Sequence, residues 1–94
     1  MTNNNVVLSS LAMDLKRIAL GLHRKSYSMA DRFTKEAIVR KKETNTASLA
    51  PYMQSIMNKL TDVFADDDNE RKAEDALMYS TLIQNYVMKE QVPS

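Results

Sequence analysis

Leu8, Leu11, Leu15, Ile18 and Leu22 recur at spacings of three and four, the period that lines one side of an α-helix with apolar groups. The pattern returns as Met29, Ala30, Phe33 and Ala37, then as Leu49, Met53, Ile56, Leu60 and Val63, with Met57 and Phe64 widening that stripe. It returns a last time as Ala73, Ala76, Leu77, Ser80, Ile83 and Val87, with Tyr79, Leu82 and Tyr86 beside it. No segment sustains the period-two alternation of a strand. One Gly and two Pro in 94 residues also leave few of the residues on which tight β-turns lean. The periodicity predicts an all-α fold, a small antiparallel bundle of about four amphipathic helices over roughly residues 5–24, 29–43, 49–64 and 69–89. The length suits one core and not two, so residues 1–94 are expected to form a single helical domain, with 1–5 and 91–94 as frayed tails.

Local chemistry supplies the expected helix ends. Asn4 or Asn5 can cap the first helix, because a short side-chain oxygen reaches the free amides of the first turn. Ser28 followed by Asp31, and Asp67 followed by Glu70, have capping-box spacing. Ser48 can cap the third helix, with Pro51 in its first turn, where the missing N–H needs no partner. Asp31–Lys35, Arg32–Glu36 and Glu36–Arg40 are opposite charges four apart on the second helix. Gly21 sits inside the first apolar pattern, where glycine typically costs ~1 kcal/mol relative to alanine. It marks either a close helix approach or an early helix end.

The residue inventory excludes several chemistries. Without cysteine there are no disulfides, no thiolate metal sites and no cysteine nucleophile. His23 is the only histidine, so one chain assembles neither a Ser-His-Asp triad nor a histidine-rich zinc site. A calcium loop starting at Asp66 would need Gly at its sixth position and Glu at its twelfth, where this chain has Arg71 and Leu77. A single Gly cannot build a phosphate-cradling loop. No catalytic residue, cofactor or metal is therefore expected, and the chain reads as a non-enzyme. The apolar runs are too short to span a bilayer, and the N-terminal stretch lacks the basic and apolar regions of a secretory signal, so a cytoplasmic location is expected.

The segment Arg17-Ile-Ala-Leu-Gly-Leu-His23 meets the Arg-to-His spacing of the HEPN ribonucleases, small all-helical dimers whose active site pairs those two residue types. The likeness covers seven residues. It departs from the family in placing Ile18, a core-stripe residue, where a polar residue usually follows the Arg. No family is identified from these residues.

Charge is unevenly spread around a net of +1. The N-terminal half is basic and the C-terminal half acidic. Met13 and Leu20 fall on the side of the first helix opposite its main stripe, among Lys16, Arg17 and Arg24. A helix with apolar residues on two sides suits the middle of a bundle or an interface. The leading expectation is a small adaptor-like or regulatory module acting through protein–protein contacts, with a second copy among the possible partners and Met13, Leu20, Arg17 and Arg24 as the interface. The alternative is nucleic-acid binding by Lys16, Arg17, Arg24, Lys25, Arg40, Lys41 and Lys42, which requires the fold to gather them. Against it, Lys and Arg in the last turn of a helix already complement its exposed carbonyls.

Overall fold

A computed structural model of the protein describes residues 4–91, with side chains through residue 89. The chain runs through α1 (Asn4–His23), α2 (Tyr27–Glu43), a short 3-10 turn (Thr46–Ser48), α3 (Pro51–Ala65) and α4 (Asn69–Gln91). This is the expected small all-α bundle. Asn4, Asn5 and Gln91 are helical, whereas the tails expected at residues 1–3 and 92–94 lie outside the described residues.

α1 is the central helix. It packs closely along α2 on one flank and α4 on the other, while α3 meets α4 and α2 at wider spacing. Side-chain size explains the difference. Along the α1–α4 seam the buried residues are small: Ala12 and Ala19 on α1, Ala73, Ala76 and Ser80 on α4. Backbones can approach there, and the Ser80 hydroxyl donates to the carbonyl oxygen of Ala12 at 2.6 Å. α2 presents Ala30 and Ala37 to the core. α3 contributes Met53, Met57 and Leu60, all fully buried, and these long side chains fill the wider gap opposite α1. Leu8, Leu11, Leu15 and Ile18 complete the core from α1, each contributing on the order of 1.5–3 kcal/mol by its burial.

The turn between α1 and α2 is set by backbone chemistry. The amide of Ser26 donates to Gly21 O at 2.8 Å and that of Lys25 to Leu22 O at 3.1 Å, the paired bonds of a Schellman motif. Lys25 has φ 58°, the left-handed conformation that glycine adopts without a Cβ penalty. Lys25→Gly is therefore expected to stabilise the fold by about 0.5–1 kcal/mol, read as a higher urea midpoint at unchanged slope. A midpoint that falls would refute the strain assigned to this position. Of the two readings of Gly21 the close helix approach holds: α1 continues past it to His23, and it lies against α2. A Cβ placed on it would sit 3.0 Å from the amide nitrogen of Ala30.

The helix starts depart from their sequence signals. α2 begins at Tyr27, so Ser28 lies within the helix and does not cap it. The Schellman turn has already delivered Ser26 to the cap position, where its carbonyl accepts from Ala30 N. α3 begins at Pro51 after Ala50. Ser48 stays in the 3-10 turn, because burial of Leu49 holds the chain extended between the two elements. α4 is capped by Asp68 and not Asp67: Asp68 Oδ1 accepts from Arg71 N at 3.1 Å. Asn4 does not act as the expected cap of α1. Its side chain reaches across to the α2–α3 connection, donating to Asn45 O and Ser48 Oγ and accepting from Asn45 N. Leu77, expected on the core face of α4, is 45% exposed. The buried side of α4 is rotated toward Tyr86, whose ring packs edge-on against Tyr52 of α3. On α2, Arg32 pairs with Glu36 at 3.9 Å, whereas Arg40 turns to Glu43 at 3.3 Å.

Candidate functional site: the outer face of α1 and its polar groove

The surface of α1 divides into a wide buried arc and a narrow outer one. The buried arc runs from Asp14 and Gly21, against α2, to Ala12 and Ala19, against α4. What remains outside is a strip bearing Val6, Met13 and Leu20. These three recur every seven residues, so they form one nearly straight apolar line along the helix. Met13 and Leu20 are each 40% exposed and Val6 is 63% exposed. Lys16, Arg17 and Arg24, all exposed, border the line toward the C-terminal end of α1. The apolar line and its cationic border are thus brought together as the sequence placed them, and Val6 extends the line by one heptad.

A polar groove of about 330 Å³ runs beside this line, between α1 and α2, lined by Ser9, Ser10, Met13, Asp14, Arg17, Glu36 and Arg40. Asp14 is its distinctive residue, since it is only 3% exposed. Arg17 Nη1 approaches Asp14 Oδ1 at 3.7 Å, too long for a strong hydrogen bond. Asp14 Oδ2 and Arg40 Nε are both buried with no hydrogen-bond partner. Burial pushes the Asp14 carboxyl above the usual carboxylate range, and the neighbouring Glu36 adds to the rise. Arg40 and Arg17 oppose it without cancelling it. The Arg17 guanidinium also stacks 5.2 Å from the centre of the Phe33 ring, a cation–π contact that ties it to α2.

The fold separates the other cations. Arg24 and Lys25 lie in the turn after α1, beside the start of α2, while Arg40, Lys41 and Lys42 form the last turn of α2. A helical rise of ~1.5 Å per residue puts these two groups roughly 20–25 Å apart. Lys41 and Lys42 instead flank an apolar groove of about 420 Å³ formed with Ile38, Thr61 and Phe64. His23 is exposed in the last turn of α1. It lies six residues from Arg17, a spacing that sends two helical side chains to different sides.

The acidic turn between α3 and α4 satisfies itself. Arg71 donates to both oxygens of Asp66, from Nε at 2.7 Å and from Nη2 at 2.8 Å. Asp66 also accepts from Asp68 N at 2.9 Å. These bonds hold the Asp66 carboxyl down at about 2 and raise the Arg71 guanidinium further above its ordinary value. Among the described residues no group of three or more His, Asp or Glu is placed to hold a metal ion. No described helix is long and apolar enough to cross a membrane.

Sequence reasoning passed over Asp14, Glu36 and Val6. Asp14 lay within reach, because it falls three residues after Leu11 and four before Ile18, inside the buried arc. Val6 falls seven before Met13. Glu36 carries no such signal, since its place in the groove depends on how α2 crosses α1. No protein-family profile matches the chain, no curated protein matches it, and no solved structure matches it.

Proposed function

We propose that this chain is a non-enzymatic helical module that works by binding protein through the outer face of α1. The observation that carries this reading is the Val6–Met13–Leu20 line. It lies on a helix whose two flanks already pack against α2 and α4, and no other described element packs closely against that helix. A row of exposed large apolar groups bordered by cations is the composition of a contact surface with a hydrophobic centre and a polar rim. Arg24 and Lys25 stand a helix length from Lys41 and Lys42, and Arg17 and Arg40 between them are engaged with Asp14, Phe33 and Glu43, which weighs against a nucleic-acid role.

The test is Met13→Glu/Leu20→Glu. Both positions face outward, so the double variant is expected to keep its helix content and to stay within about 0.5 kcal/mol of the parent in monomer stability. Its binding to protein, whether to itself or to a partner recovered by cross-linking in native extract, is expected to fall at least tenfold. Unchanged oligomeric state together with unchanged capture would overturn the reading.

A further inference from the structure

Resting on the contact-face reading above, we propose that the outer face of α1 binds a second copy of this chain, in a two-fold dimer that sets α1 of each protomer against α4 of the other. The argument begins with what borders the α1–α4 seam on its outer side. Past the buried Ala12/Ala19 edge of α1 come Lys16, Leu20 and Met13. Past the buried Ala73/Ser80 edge of α4 come Leu77, Met88, Glu70 and Glu74, all exposed. The two rows lie side by side on one face of the molecule.

The antiparallel packing of α1 and α4, fixed by the Ser80–Ala12 hydrogen bond near their middles, decides which ends coincide. The basic end of α1, with Lys16 and, in the turn just past it, Arg24, lies at the same end of the molecule as the acidic start of α4, with Glu70 and Glu74. A two-fold axis parallel to the helices brings two such faces together without exchanging ends. It lays α1 of one protomer over α4 of its partner, so that the basic row meets the acidic row twice and the line of Met13 and Leu20 meets the side of α4 that bears Leu77. A two-fold axis across the helices would instead oppose α1 to α1, matching the cations to the uncharged stretch before Met13. Charge complementarity therefore selects both the occupant and the symmetry. Size agrees. The molecule measures 41 × 22 × 20 Å, and one long face offers the ~800 Å² per partner of a specific interface.

The experiment uses the full chain and sedimentation equilibrium at low and high salt. The wild type is expected to form a dimer whose dissociation constant rises at least tenfold with salt, as exposed charge pairs are screened. Lys16→Glu/Arg24→Glu and Glu70→Lys/Glu74→Lys are each expected to weaken the homodimer at least tenfold with helix content retained. An equimolar mixture of the two is expected to recover a heterodimer, because the reversed α1 of one meets the reversed α4 of the other. A wild type that stays monomeric overturns the second-copy proposal and leaves the contact-face reading to the cross-linking test of Met13→Glu/Leu20→Glu. A dimer that the charge reversals leave intact, or that the mixture does not restore, overturns the α1-to-α4 arrangement. A dimer indifferent to Met13→Glu/Leu20→Glu overturns the proposal as well, since its apolar centre would lie elsewhere.

Discussion

Gly21→Leu is expected to destabilise the protein by about 3 kcal/mol, at the upper end of what overpacking a close contact costs. A Cβ at this position meets three backbone atoms: Ala30 N at 3.0 Å, Ser26 O at 3.2 Å and Ala30 Cα at 3.3 Å. None belongs to a flexible side chain that can swing aside. Ser26 and Ala30 are themselves tied by the hydrogen bond that begins α2, Ala30 N to Ser26 O at 3.1 Å. Room for a side chain comes only by moving the start of α2 away from α1. Gly21→Ala sets two effects against each other. Helix propensity favours alanine by ~1 kcal/mol, while the new methyl group requires α2 to retreat by a few tenths of an ångström. The expectation is a net loss smaller than that for leucine. Urea unfolding of both variants checks the order, and a stabilised Gly21→Ala would show that the α1–α2 contact is looser than the geometry says.

Asp14→Leu is expected to act in the opposite direction and stabilise the fold at pH 7, since an apolar side chain replaces a carboxylate that its burial disfavours. The gain is held to about 1 kcal/mol because Arg40 and Arg17, which favour the charged carboxylate, lose it. Asp14→Asn, which removes the charge and keeps the shape, isolates the electrostatic part. The pH dependence follows from the direction of the shift. The native Asp14 carboxyl holds its proton more tightly than the unfolded one. Between the two values the native state binds more protons, so its stability falls as pH rises. The penalty is complete above the folded value and absent below the unfolded one, near 3.8. The advantage of Asp14→Asn should therefore be full at neutral pH and fade on acidification. Asp66 works in the reverse sense. Its carboxyl is held at about 2, so its contribution is present above the unfolded value and is lost as pH falls toward 2. Acid titration of the wild type is expected to relieve Asp14 before it breaks the Asp66–Arg71 pair. An Asp14→Asn advantage that does not change with pH would mean that the carboxylate is better solvated than its burial indicates. If the groove serves the contact face, the stabilised variant should also bind less well, the usual exchange between a stable site and a working one.

The bundle was legible because its information is periodic. Stripes at spacings of three and four named every buried residue of α3 and the large ones Leu8, Leu11, Leu15 and Ile18 of α1, while the smaller Ala12 and Ala19 at the edge of the α1 stripe went unnamed. Helix starts were less legible, because side-chain signals compete with backbone geometry. Ser28 has the right spacing to cap, yet the left-handed turn at Lys25 starts α2 before Ser28 is reached. The orientation of α4 was misjudged at Leu77 because the aromatic pair Tyr52–Tyr86 draws its buried side toward α3, a contact between segments far apart in sequence. The candidate site divides in the same way. Met13 and Leu20 stood out by their place on the helix, whereas the groove around Asp14 required Glu36 and Arg40, which only the pairing of α1 with α2 supplies.

The central position of α1 also orders events while the chain is being made. Its contacts with α2 join neighbours in sequence and close early at little entropic cost, whereas those with α4 must wait for a return from the far end of the chain. Until Ser80 and Ile83 have left the ribosome, the Ala12/Ala19 edge of α1 stays bare, so a nascent chain carries a helical hairpin with one sticky flank. In such a chain the fourth helix is the one that completes the burial of the first.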